Sequence, residues 1–196
     1  HKPSQNLVNA FKTNAQGLPM FDTYNDEDLD YKQLNNYKVD PRLYHTVAMP
    51  GLPWKYEKDK IYQESWVRSP GTYGYYASLK ENVPVGCGCT VNIDPFYGNS
   101  KNRIIIRYSD VLLMKAEALI ELGRVNEALP LINQVRERAA NSTVLTGSYT
   151  SNNFISKYEP GVNCTWTQDF ARKALRWERR MEFAMEGSRF FDLVRW

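Results

Sequence analysis

Residues 103–123 read RIIIRYSDVLLMKAEALIELG, and residues 126–139 read NEALPLINQVRERA. In the first stretch Leu112, Leu113, Ala116, Leu119 and Ile120 recur at three- and four-residue steps. That period gathers side chains on one face of an α-helix. Gly123 follows at once, and a glycine just past a helix end takes the left-handed conformation that stops it. Asn126 reads as the N-cap of a second helix, with Glu127 favoured near the positive end of the macrodipole. Pro130 reads as a first-turn residue, where its missing N–H costs little. Ala128, Leu129, Ile132 and Val135 supply the apolar face of this second helix. So short a connection predicts an antiparallel pair.

Such a pair resembles a tetratricopeptide repeat, in which small residues such as Ala116 and Ala128 let the helices approach while Leu119 and Ile132 fill the packing positions. Lys115 and Ala140 depart from the Leu and Pro usual in that repeat, and an ordinary helical hairpin gives the same pattern. One unit alone leaves its outer face uncovered, so the pair requires neighbours.

The last twenty-one residues, RWERRMEFAMEGSRFFDLVRW, alternate charge with apolar and aromatic side chains. A helix from Asp169 through this stretch would bury a stripe of Phe170, Ala174, Trp177, Met181 and Ala184. Arg179 with Glu182, and Glu186 with Arg189, are spaced as i,i+3 partners, the second only if the helix survives Gly187. Glu178, Glu182 and Glu186 repeat at i,i+4, which is unfavourable unless arginines from elsewhere sit between them. Arginine suits that place because its planar fork bridges two carboxylates. Together with Asp192 these residues predict a partly buried, structural ion network around aromatic packing, in preference to a catalytic carboxylate pair.

Composition shifts near residue 100. Eight of the ten prolines and ten of the thirteen tyrosines lie before it, so residues 1–100 form a loop-rich segment and 101–196 a helical one. DPRLYHTVAMPGLPW (40–54) holds three prolines, which excludes a long helix or a central strand. NAFKTNAQGLPMF and SPGTYGYYASLK read as short extended or turn segments around glycines. A second loop, Asn141 to about Gln168, contains two formal glycosylation sequons, at Asn141 and Asn163, which matter only in a eukaryotic secreted protein. The expected fold class is mainly α: a tetratricopeptide-like pair and a C-terminal helix beside a long irregular segment.

A net charge of +3 with no basic block longer than two residues argues against nucleic acid. No run of eighteen apolar residues occurs, so nothing in this chain spans a membrane as a helix. The opening HKPSQNLVNAF carries no initiator Met and no apolar targeting segment. His1 and His45 lack metal-ligand spacing, and no GxSxG, P-loop or GxGxxG occurs, so neither enzyme chemistry nor a cofactor is expected. Asp26, Glu27, Asp28 and Asp30 read as a solvated loop, because EF-hand spacing and its glycine are missing. Cys87 and Cys89 are too close for a CxxC pair. One of them could bridge to Cys164 in an oxidising compartment, or all three stay unpaired.

ERRMEFAMEGSRFFDLVRW (178–196) resembles the signature of the SusD/RagB family, and RYSDVLLMKAEALIELG with NEALPLINQVRERA is similar to its preceding helical motifs. DPRLYHTVAMPG resembles a further family element, GTYGYYASLK does so more loosely, and SQNLVNAF resembles the start of the family's C-terminal half. The resemblance covers nearly the whole chain. It implies a nutrient-binding protein, anchored by a lipid to the outer surface of a Bacteroidetes outer membrane, that acts as a lid on a SusC-like TonB-dependent transporter. It also implies an N-terminal half outside this chain, bearing the lipidated cysteine and most of the repeats. The implied partners are that transporter and an oligosaccharide or other nutrient, with contact to the membrane only through the anchor.

Sugars present C–H faces that stack on aromatic rings, with polar neighbours bonding the hydroxyls. Trp54, Tyr56, Tyr62 and Trp66, in a Lys- and Glu-rich stretch between two family-like motifs, are therefore the candidate ligand-binding residues. The same rings could instead cover the core of the irregular segment. Tyr73, Tyr75 and Tyr76 lie inside a family-like motif and are expected to be structural. The alternative function is a helical-repeat scaffold that binds protein and no small molecule.

Overall fold

In the computed structural model, which describes residues 2–93, 96–142 and 152–196, the first hundred residues form many short elements. Helix α1 (Gln5–Asn9) is capped by Ser4, whose hydroxyl accepts from the Leu7 N–H. Helix α2 (Arg42–Thr46) runs directly into β1 (Val47–Ala48). Strands β2 (Pro53–Trp54) and β3 (Glu57–Ile61) form a hairpin, and α3 (Pro70–Tyr73) precedes β4 (Ala77–Ser78). Strands β5 (Thr90–Ile93) and β6 (Phe96–Asn99) make another hairpin. Each ladder is two-stranded and antiparallel: β1 with β4, β2 with β3, β5 with β6. Elements this short are marginal alone, so their order must come from packing.

Three longer helices supply that packing: α4 (Tyr108–Glu121), α5 (Val125–Asn141) and α6 (Gln168–Glu182), followed by the short α7 (Arg189–Arg195). α4, α5 and α6 lie against one another pairwise. The sequence periodicity of α4 matches its buried set of Leu112, Leu113, Ala116, Leu119 and Ile120. Ala116 and Ala128, both fully buried, face the α4–α5 contact, where small side chains permit close approach. Gly123 has φ +74°, and the Gly123 and Arg124 N–H groups bond the carbonyls of Ile120 and Leu119, closing the α4 end.

Three sequence expectations need correction in these helices. Asn126 is the second residue of α5, not its cap, and Arg124 precedes the helix with its side chain on Glu127. Pro130 is the sixth residue, beyond the first turn, so the helix forgoes one internal hydrogen bond there. The buried stripe of α6 is Ala171, Ala174, Leu175, Glu178, Arg179, Met181 and Glu182, with Phe170 and Trp177 only partly covered. α6 is packed on more than one side, which a single apolar stripe does not describe. Ile104, Ile105 and Ile106 stand outside α4 and are exposed.

Among the described residues the core has three clusters. Leu113, Ile120, Ile132, Tyr158 and Leu175 belong to a helical cluster that also takes Leu18 from the first hundred residues. Val8, Phe11, Leu43 and Met49 form a second around the short elements, and it takes Met181 and Ala184 from the C-terminal region. Ala48, Tyr62, Val67 and Leu79 form a small third. α6 therefore serves as a wall common to the first two.

Candidate ligand-binding site

The β2–β3 hairpin sets out three of the four candidate aromatics together. Trp54 ends β2, Tyr62 follows β3, and Trp66 closes a 3-10 turn at Glu64–Trp66. Trp54 and Tyr62 stack at 5.7 Å with 27° between their planes. Trp66 meets Tyr62 edge-on at 5.6 Å and Trp54 at 6.1 Å. The Trp54 Nε1–H donates to the Val83 carbonyl at 3.1 Å, which fixes that ring. Tyr62 is buried on the third core cluster, while Trp66 leaves 48% of its surface open. The result is a solvent-facing indole on a rigid two-ring base, a surface on which the apolar face of a sugar can lie.

Tyr56 is not part of this triad. It occupies the hairpin turn with Lys55, and both have positive φ, 69° and 47°. That pattern in a two-residue turn selects Asn-Gly, because a side chain in the left-handed region costs roughly 1–2 kcal/mol per residue. Lys and Tyr at both places are thus held there by their surroundings. The Tyr56 hydroxyl lies 2.7 Å from Nδ1 of His45, and Nε2 of His45 lies 2.9 Å from the Ser142 hydroxyl. Ser142 directs its own proton to the Ala139 carbonyl, so Nε2 carries the imidazole hydrogen and Nδ1 accepts from Tyr56. Burial, and next the charge of Arg138, push His45 down to about 4, which keeps it neutral. Of the remaining tyrosines, Tyr76 is buried and Tyr73 exposed.

The ion network draws its cations from distant chain. Arg42 bonds Glu178 at 2.6 Å and Glu182 at 3.0 Å, and holds Asp40 with its other nitrogens. Arg136 takes the second oxygen of fully buried Glu178 at 3.1 Å, donates to the carbonyls of Ser156 and Gly17, and lies over the Tyr158 ring. Glu182 also pairs with Arg107 and Arg138. Glu186 pairs with Lys80 at 2.6 Å and Arg107 at 2.9 Å. Arginines therefore sit between the repeated carboxylates.

Two pairings read from the sequence do not form. Arg179 bonds Asp110 and Asp192 instead of Glu182. Arg189 does not pair with Glu186: α6 ends at Glu182, and positive φ at Met185 and Gly187 turns the chain away before α7. Arg189 lies over the Trp196 ring, with one guanidinium nitrogen buried and unbonded among the described residues. Sequence reading missed Arg42, Arg107, Arg136 and Arg138; the only signal was the unmet demand of three carboxylates on one helix.

Cys87 and Cys89 are joined by a disulfide, their Cα atoms 5.1 Å apart, and Cys164 is free. This differs from both alternatives read from the sequence, a bridge to Cys164 and three unpaired cysteines. Cys164 packs against the helical cluster, and burial pushes its thiol up. Asp26, Glu27 and Asp28 are exposed, and Asp30 caps the 3-10 turn at Tyr31–Asn36. Among the described residues no group of three or more potential metal ligands occurs. Among the described residues no helix is long and apolar enough to cross a membrane. His1, Thr143 of the first sequon and the loop through residue 151 lie outside the described residues.

Comparison with known proteins gives one consistent result. A family model described as the SusD family matches residues 1–196. A SusD-like protein of Formosa agariphila is 36% identical over 131 residues, 64% of this chain and 24% of that protein. A second from the same bacterium is 37% identical over 106 residues, 54% of this chain and 17% of its own length. The fold is similar to that of a SusD-like protein from Bacteroides fragilis, with TM-score 0.63 at 25% identity, and of a SusD superfamily protein from Bacteroides vulgatus, with 0.58 at 23%. The whole chain aligns to 36% and 33% of those structures.

Proposed function

The chain belongs to the SusD family, and from that premise we propose that it forms part of a cell-surface protein that binds a nutrient, in first place a glycan, and delivers it to a SusC-like TonB-dependent transporter of the outer membrane. The protein acts by binding, not by turnover, and reaches the membrane through a lipid anchor carried elsewhere. The observation that carries this reading is Trp66, which stays 48% exposed while Trp54 and Tyr62 hold it from beneath. An indole held half open on two supporting rings presents a flat, fixed apolar face of the kind on which the C–H face of a sugar ring stacks.

The test is tryptophan fluorescence of the full-length protein titrated with neutral oligosaccharides and peptides. A saturable response to an oligosaccharide, weakened at least tenfold by Trp66→Ala with unchanged thermal stability, is the expected result. Silence across the panel from folded protein would rule out capture at this triad. A second reading, protein contact without small-molecule binding, is favoured by the exposed Phe190, Phe191, Leu193 and Val194 of α7. It predicts an unresponsive panel and retained association with the transporter.

A further inference from the structure

Beside the hairpin turn lies a cavity of about 670 Å³, in the range of roughly 300–1,000 Å³ common for small-ligand sites. Tyr56, His45 and the segment 101–105 wall it. Its charges are out of balance. The Lys55 ammonium donates to the Leu79 carbonyl and the Lys101 ammonium to the Lys80 carbonyl, so the two cations are tied to consecutive residues. Neither forms an ion pair with a described carboxylate, and nor does exposed Arg103 on the same wall. Glu186 is already shared by Lys80 and Arg107, which among the described lining residues leaves Glu81 alone to offset three cations. Burial and then the charge of Lys101 lower the Lys55 ammonium, and Glu81 opposes this only in part. Adjacent like charges without a counter-ion are unfavourable until an anion arrives.

The turn itself points the same way. Lys55 and Tyr56 both hold the left-handed backbone that a hairpin normally gives to Asn-Gly, and both side chains line the cavity. Tyr56 keeps 42% of its surface open. His45 stays neutral, so its second nitrogen can anchor the tyrosine hydroxyl without adding charge.

We propose that this cavity binds an anionic glycan, whose carboxylate or sulfate groups meet Lys55, Lys101 and Arg103 while a sugar ring lies against Tyr56. The proposal rests on the glycan-capture reading and adds to it a charge class and a second contact region, apart from Trp66.

Isothermal titration of the full-length protein at low salt, with an oligogalacturonate, a sulfated galactan oligosaccharide and an uncharged galacto-oligosaccharide of equal length, tests it. At least one charged oligomer should bind tenfold or more tighter than the uncharged one and weaken as salt rises. The doubly substituted Lys55→Gln, Lys101→Gln protein should lose at least tenfold of that affinity. Arg103→Gln removes no internal ion pair, so it should fold normally and lose about threefold. The charged oligomer that binds identifies the anion as carboxylate or sulfate. Equal binding of charged and uncharged oligomers, or charged binding unaffected by both sets of substitutions, overturns the proposal. If an uncharged oligomer still binds and is lost in Trp66→Ala, glycan capture survives that failure. If no oligomer binds, this proposal falls, and glycan capture is decided separately by the tryptophan titration at Trp66.

Discussion

Glu182 is surrounded by three guanidiniums from separate places: Arg42 of α2, Arg107 just before α4, and Arg138 of α5. Burial alone would raise its carboxyl, but the three cations together outweigh burial and hold it down to about 2. An unfolded glutamate titrates near 4.3, so between that pH and about 2 the unfolded chain binds the extra proton. The stability due to this carboxylate is therefore complete above about pH 4.5 and lost as pH falls toward 2, on the order of 3 kcal/mol. Glu182→Gln should cost about 3–5 kcal/mol at neutral pH, because it leaves Arg42 partly unmatched in the interior. It should also flatten the acid limb of urea-unfolding stability between pH 4.5 and 2, and an unchanged limb would contradict this assignment. The spacing of three glutamates already required cations from outside the helix. Which arginines answer is a matter of tertiary placement, invisible to a local pattern.

Two glycines separate elements that announce themselves in the sequence from those that do not. Gly123 follows an apolar helical period, has φ +74°, and has open space where a Cβ would point. Gly123→Ala should cost only the backbone term, about 1 kcal/mol, in chemical denaturation. Gly17 has φ +73°, but a Cβ there would meet the Ser156 hydroxyl at 2.5 Å and its backbone nitrogen at 2.9 Å. Gly17 also accepts from the Ser156 N–H and from Arg136 through its carbonyl. Gly17→Ala should therefore cost clearly more, about 3 kcal/mol, and equal losses at the two positions would refute the clash. Within NAFKTNAQGLPMF, Gly17 reads as an ordinary turn residue, since its reason lies far along the chain. The same limit applied to α4 and α6. The face of α4 was legible because one core covers it, whereas α6 is divided between two, and Glu178 occupies a place that periodicity assigns to carbon side chains.

At the scale of the whole molecule, the helical character and the loop-rich stretch were legible from prolines and periodicity, and the longest motifs identified the family. The candidate rings were only partly legible. Composition marked the stretch that contains them, but the separation of Tyr56 from the other three depends on a strained turn that no aromatic count reveals. Side chains cross between the two halves: Leu18 enters the helical cluster, and Met181 and Ala184 complete the one around the short elements. A chain ending at Trp166 should therefore expose residues 1–100 to limited proteolysis, and protection equal to that of the intact protein would refute the dependence. The tie between Arg42 and Glu178 spans 136 positions of chain. At about 5–20 residues per second of synthesis, that distance is a delay on the order of ten seconds. Throughout it, α2 carries its cation without the α6 carboxylates that it meets in the folded protein, so this part of the nascent chain waits on α6 and stays open to chaperones until that helix leaves the ribosome.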